Sequence, residues 1–288
     1  GKNLDCCASL PVIGGVDQCL SSSGAVLQDF VLDKFEVTIG RFKQFIAAPS
    51  ATRLPTPGSG THPSDANCRD ADAGWDPAWD DYLPSSNLVQ DWAGQCGSST
   101  WTQAAGAQPG DWLPASCITW FEAQAFCIWD GGYLPSWSEL SYAAKGGSND
   151  WKYPWGTAPI DSAHAVYDPW SGDSARPVGS LPAGDGRWQH SDLAGNVWEW
   201  CSYNAFNGDG DCSAAPCHCN STTAQFAHGR AFGGSYGAQP EELTSTFFAT
   251  GEGSTAGGFI TLKPEQNWAD LSDVGFRCAR APTTLSTH

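Results

Sequence analysis

Residues 192–200 read DLAGNVWEW. A glycine-bearing turn that runs into two tryptophans is weak evidence alone, but here it has company. Downstream come GRAFGGSYG, ending at Gly237, and DVGFRCAR, from Asp273 to Arg280. Upstream lies CITWFEAQAFCIWDGGYLPSWSELSYAAKGG, from Cys117 to Gly147, the most regular part of the chain. Thr119 and Glu122 form a T-x-x-E capping box, and Phe121, Ala125, Ile128 and Trp129 then fall on one helical face. Gly131 and Gly132 end that helix. Ser136 and Glu139 make a second box, and Leu140, Ala143 and Ala144 continue its helix to Gly146-Gly147.

Further out the signals thin. Asp29 to Val37 reads as a strand. Thr38 is an N-cap for a helix carrying Phe42, Phe45 and Ile46 at helical spacing. From Pro49 to Pro114 the chain is rich in Pro, Gly, Ser, Asp and Trp, which predicts loops. Trp75, Trp79, Tyr82, Trp92, Trp101 and Trp112 would pack those loops onto a core. After Trp151 short strands and turns are expected. Residues 1–28 read as an N-terminal extended segment stapled to the body through Cys6, Cys7 and Cys19, with Cys117 a candidate partner for Cys6 or Cys7. Residues 29–288 read as one domain, without internal repeats.

Composition excludes several classes. The 288 residues hold 14 basic and 31 acidic side chains, a net charge of −17. Nucleic acid is therefore not an expected partner, because binding it rests on Lys and Arg neutralising phosphates. No apolar run reaches the ~18 residues of a transmembrane helix. The 12 cysteines, with no C-x-x-C pair, point to an oxidising compartment and disulfides. The lack of Met fits a processed chain whose signal peptide is gone. The expected location is secreted, extracellular or at the cell surface.

Six segments in one order, FVLDKFEVTIGRFKQF, the Cys117–Gly147 block, YPWG, RPVGSLPAGDGRWQHSDLAGNVWEW, GRAFGGSYG and DVGFRCAR, resemble the formylglycine-generating enzyme family, the sulfatase-modifying-factor domain. The resemblance spans roughly residues 29 to 280. It implies an α+β, loop-rich, disulfide-stapled variant of the C-type lectin fold. It also implies a disulfide between Cys127 and Cys278. Catalytic members carry two cysteines after GGSY that bind copper(I) and activate oxygen; thiolates and copper(I) are both soft. The matching positions here hold Ala238 and Leu243, and no cysteine lies between Cys219 and Cys278. Copper is therefore not an expected cofactor, and a non-catalytic protein is expected.

Calcium is the cofactor the resemblance does imply. Carried over position by position, Asp192 and Glu199 offer carboxylates, and Gly195 and Val197 offer backbone carbonyls, hard donors that suit calcium. The alternative is that Asp192 caps a turn and Glu199 pairs with an arginine. A second calcium site of the family is not expected, since His164 stands where an Asn is usual. The family's iron branch, which uses histidine ligands on an added helical domain, is not expected, since no two of the six histidines have i,i+4 spacing.

Other patterns are weaker. Gly233 to Gly237 fits the G-x-S-x-G string of hydrolases, without the strong strand and following helix it needs. Asp70, Asp72 and Asp81 superficially resemble a calcium-hand loop. Cys212, Cys217, His218 and Cys219 suit zinc or disulfides, and Asn220 opens a glycosylation sequon. The leading expectation is a non-catalytic protein binding a protein or glycan partner. Its expected ligand surface contains Trp198, Ser235, Tyr236, Phe247, Phe248 and Trp268. A structural subunit built from copies of itself is the alternative, and a copper-dependent oxidase with an altered site comes third.

Overall fold

The computed structural model describes residues 5–17, 25–61, 74–83, 100–101, 110–169, 172, 174–202, 228–229, 231–247, 260–261 and 271–282. Near its start, β1 (Ser9–Val12) pairs antiparallel with β4 (Phe30–Asp33), Ser9 opposite Asp33. The other edge of β4 takes β10 (Ala279–Arg280), so segments from both ends of the chain meet on one strand. Between β1 and β4, β2 (Gly15–Asp17) and β3 (Ala25–Leu27) form a separate ribbon. The expected strand from Asp29 to Val37 is ladder-paired only over Phe30–Asp33. Beyond it the backbone changes partners residue by residue: Lys34 N–H donates to Ala8 and Val37 N–H to Phe276.

Thr38 caps α1 (Ile39–Ala47), its hydroxyl accepting from Arg41 N–H, and Phe42 and Phe45 are buried. Among the described residues, the Pro49–Pro114 stretch includes a short helix, α2 (Ser50–Arg53), two 3-10 turns, and helical backbone at Thr100 and Trp101. Trp75 and Trp101 in that stretch are buried, so aromatic side chains do anchor it.

The two capping boxes form as read: Thr119 with Glu122 opens α3 (Trp120–Trp129), and Ser136 with Glu139 opens α4 (Trp137–Ala144). One detail differs. The apolar pattern predicts a single buried face on α3, but every residue from Trp120 to Cys127 is buried. The cause is its central position. Phe42, Phe45, Trp129 and Phe276 crowd around Phe126, while Trp79 and Tyr82 pack on Trp120 and Phe121. Gly131 and Gly146, at φ +80° and +67°, take the left-handed turns after the two helices.

Downstream, β5 (Trp198–Trp200), β6 (His228–Gly229), β7 (Ala231–Phe232), β8 (Ile260–Thr261) and β9 (Val274–Gly275) are short. β5 is central to a mixed sheet, antiparallel to β7 and parallel to β9, while β6 pairs with β8. The Cys127–Cys278 disulfide ties α3 to the segment leading into β10. The proposed pairing of Cys117 with Cys6 or Cys7 is corrected. Cys117 is fully buried and disulfide-bonded, whereas Cys6 and Cys7 are free thiols on a turn at the surface. The β1–β4 ladder attaches the N-terminal segment where those two cysteines do not; Cys19 lies outside the described residues. No helix among the described residues is long and apolar enough to cross a membrane.

Candidate functional site

The 192–200 turn owes its shape to three left-handed residues, Asp192, Gly195 and Asn196, at φ +58°, +82° and +72°. A Cβ on Gly195 would lie 2.4 Å from the Val166 carbonyl, so only glycine fits. Asn196 is its hub. Its side chain donates to Glu36 Oε2 at 2.6 Å and accepts from Arg176 N–H at 2.8 Å, and its carbonyl accepts from Tyr236 N–H at 2.9 Å. Val197 N–H donates to Glu36 Oε1 at 3.1 Å.

Asp192 Oδ2 accepts from Gly179 N–H at 2.6 Å. Glu199 gives both oxygens to Arg277, at 2.6 Å to Nε and 2.5 Å to Nη2, a bidentate pair that is almost wholly buried. Arg277 also donates to the carbonyls of Asp33, Lys34 and Ser191. Three acidic groups therefore surround one guanidinium. Burial, then the charges of Asp192 and Glu199, push Glu36 well above the usual carboxylate range. Burial raises Asp192 to about 6.

The residues fit the implied calcium in part. The turn gathers Asp192, Gly195, Val197 and Glu199, and its surplus of acid favours a cation. Glu199, however, is committed to Arg277, the alternative left open by the sequence, so calcium would have to take one of its oxygens from the guanidinium. A second ionic cluster lies on the β4 side. Arg41 and Arg280 each bridge Asp33 and Asp130. Burial opposes it, but the two arginines hold Asp33 below its ordinary value. Sequence reasoning assigned no role to Glu36, Asp33, Arg41 or Arg277. Their signal was present in the quoted FVLDKFEVT and GFRCAR segments as acids and arginines inside otherwise apolar runs.

After β7 the chain turns through Gly233 and Gly234, at φ +96° and +80°. A Cβ on Gly234 would lie 3.1 Å from Leu243 Cδ1 and 3.3 Å from Ala238 Cβ, so the turn is seated directly on these two side chains. Ala238 and Leu243 are 0% and 1% exposed. The 3-10 turn Pro240–Leu243 between them is closed by Gln239 N–H donating to Glu242 Oε2 at 2.7 Å. Ser235 Oγ donates to Asp273 Oδ2 at 2.5 Å, and burial raises the Asp273 carboxyl. Glu242 Oε1 and Ser245 Oγ are buried without a hydrogen-bond partner, and burial raises Glu242 too.

The expected ligand surface needs correction. Trp198, Ser235 and Tyr236 are 5%, 0% and 7% exposed, so they form the floor beneath the segment and not its surface. Each is held from below: Trp198 N–H donates to the Asp273 carbonyl, Ser235 bonds Asp273, and Tyr236 N–H reaches Asn196. Phe247 is half-buried, its ring centroid 6.3 Å from that of Trp198. Gly237, Gln239, Glu241 and Thr246 are the exposed residues of the segment. Phe248 and Trp268 lie outside the described residues, as do Asp70, Asp72, Cys212, Cys217, His218, Cys219 and Asn220. A separate cavity of 180 Å³ lies between Phe42, Phe45, Leu54 and Leu83, with Glu122 at its wall.

The motif-bearing turn, the double-glycine turn and the buried arginine of GFRCAR thus form one connected unit. Residues 13–282 match the sulfatase-modifying factor enzyme 1-like domain. The chain belongs to this family. It is 35% identical over 102 residues to the formylglycine-generating enzyme of Streptomyces coelicolor, covering 31% of this chain and 32% of that protein. To the inactive C-alpha-formylglycine-generating enzyme 2 of Mus musculus it is 27% identical over 196 residues, 60% of this chain and 58% of that one. These matches span less than two thirds of either relative's length. In fold it is similar to PvdO from Pseudomonas aeruginosa, with a TM-score of 0.51 and 18% identity over 95% of this chain and 92% of that one. The chain thus keeps the quoted motifs of the family, with Ala238 and Leu243 packed under the double-glycine turn.

Proposed function

We propose that this chain is a non-catalytic binding protein on a formylglycine-generating-enzyme scaffold, displayed outside the cytoplasm, whose partner is a protein or a glycan. One observation carries the reading: Ala238 and Leu243, at the two positions where the resemblance implies copper ligands, are packed under Gly234 with almost no exposure. Neither side chain ligates a metal or carries electrons. Cys201 is buried with its Sγ directed to the Glu199 carbonyl, so it does not replace them. The similarity to an inactive mouse relative supports the same reading.

Recognition would use the outer side of the same segment. Gln239, Glu241 and Thr246 are exposed beside Phe247, a combination of polar groups and an aromatic edge that suits a protein or sugar surface. The buried Trp198–Ser235–Tyr236 floor would hold that face in register. The test is binding of the purified chain to a glycan array and to a displayed library of extracellular peptides. Phe247→Ala and Trp268→Ala variants run in parallel. The reading expects ligands whose binding both variants weaken; folded variants that bind as the parent does would remove this face.

Calcium at the 192–200 turn is a second part of the proposal. The surplus of Glu36, Asp192 and Glu199 over Arg277 supports it, and the Glu199–Arg277 pair is the interaction it must displace.

A further inference from the structure

Ahead of β1, three potential metal ligands converge outside the family's site. One oxygen of Asp5, Cys6 Sγ and Cys7 Sγ lie within 4.8 Å of one another, the only such group of three among the described residues. Both thiols are free and close to solvent. They are adjacent in sequence, and the turn is fixed by Cys7 N–H donating to Asp5 Oδ1 at 3.0 Å and Ala8 N–H to the Asp5 carbonyl.

The sulfur separation is informative. Cys6 Sγ and Cys7 Sγ are 3.7 Å apart, far beyond the length of a disulfide bond. Two thiolates on one tetrahedral zinc, each at about 2.3 Å, stand about 3.8 Å apart. Linear two-coordinate binding at the same bond length would need about 4.6 Å. The observed spacing therefore matches a tetrahedral centre and is too short for the linear arrangement that suits copper(I).

We propose that Asp5, Cys6 and Cys7 form a binding site for a thiophilic divalent cation of the zinc class. The chain supplies two thiolates and one carboxylate, and the outward side of the turn leaves the fourth position to water. On binding, the two thiols lose their protons to solvent as two metal–sulfur bonds form. The complex carries one net negative charge. Among the described residues, the hydrogen bonds of Asp5, Cys6 and Cys7 stay within residues 5–8, so the site stands apart from the binding reading above.

The test is a cadmium titration of the intact chain, read by sulfur-to-metal charge-transfer absorption with zinc as competitor. One equivalent should bind with a signal for two thiolates. The Cys6→Ser/Cys7→Ser variant should lose that signal, and Cys201→Ser should keep it. Asp5→Asn retains both thiols and should weaken binding by at least about tenfold, separating a lost ligand from a lost fold. A signal that survives in the double variant would overturn the site. So would peptide mapping of the isolated protein that finds Cys6 or Cys7 in a disulfide.

Discussion

The surroundings of Arg277 and the segment from Gly233 to Phe247 adjoin through the Ser235–Asp273 bond, yet they are built on opposite principles. Around Arg277 the side-chain bonds are ionic or hydrogen-bonded and all but one are buried: Glu199 takes two, and three backbone carbonyls take the rest. Around Ala238 and Leu243 the contacts are apolar packing under a glycine turn. The first region joins β5, the start of the chain and the approach to β10, so it positions the frame. The second, which the proposed reading sets in the place of the family's chemistry, is held by apolar packing of Ala238 and Leu243. The buried charges around Arg277 therefore serve packing and topology, whatever the segment beside them does.

That contrast predicts a large effect on one side. Arg277→Met should leave Glu199 and its acidic neighbours buried without a counter-ion, at a cost of about 3–5 kcal/mol. Denaturant unfolding measures it, and a loss under about 1 kcal/mol would contradict the structural role given to the pair. Next comes the tie between α3 and the last strand. Cys127 and Cys278 are 151 residues apart in sequence. Replacing both with Ala should cost about 2–5 kcal/mol, since long loops gain most from closure. An unchanged midpoint would mean that the β4–β10 pairing alone closes the chain.

The sequence announced the frame in some places and hid it in others. Both capping boxes and the Thr38 cap are local, so Thr119, Glu122, Ser136 and Glu139 could be read directly. The complete burial of α3 could not, because it depends on Trp79 and Tyr82 returning from a loop. The roles of Glu36 and Arg277 were hidden for the same reason: partners such as Asn196 and Glu199 lie 160 and 78 residues away. At the site, the absence of cysteine at Ala238 and Leu243 was plain. The burial of Trp198, Ser235 and Tyr236 was not, because it depends on how residues 233–247 fold back over them.

A smaller effect concerns Glu122, which both caps α3 and lines the apolar cavity. Burial raises it from 4.5 to about 7. A carboxyl with a folded value above its unfolded one favours the folded state fully below about 4.5. That contribution is lost as pH rises toward 7 and beyond. Glu122→Gln should flatten the decline across this window, by about 3 kcal/mol at most. His190 acts in the opposite sense, being held neutral by burial and by Arg277 with a value near 3, so the informative quantity is the parent minus the variant. Equal slopes would show that Glu122 does not titrate there.

The smallest expected shift is from calcium. Adding it to chelator-treated protein should raise the melting temperature by a few degrees through mass action. Asp192→Ala should abolish the rise. No rise in the parent would leave Glu199 wholly to Arg277.

The most direct measurement supplies copper(I) and oxygen to the intact chain with a cysteine-containing substrate peptide and looks for aldehyde by mass spectrometry. An Ala238→Cys/Leu243→Cys variant tests in parallel whether the scaffold accepts copper at these two positions once thiols are present. The account predicts no aldehyde from the parent above the protein-free background. Oxygen-dependent aldehyde formed catalytically by the parent chain would contradict it.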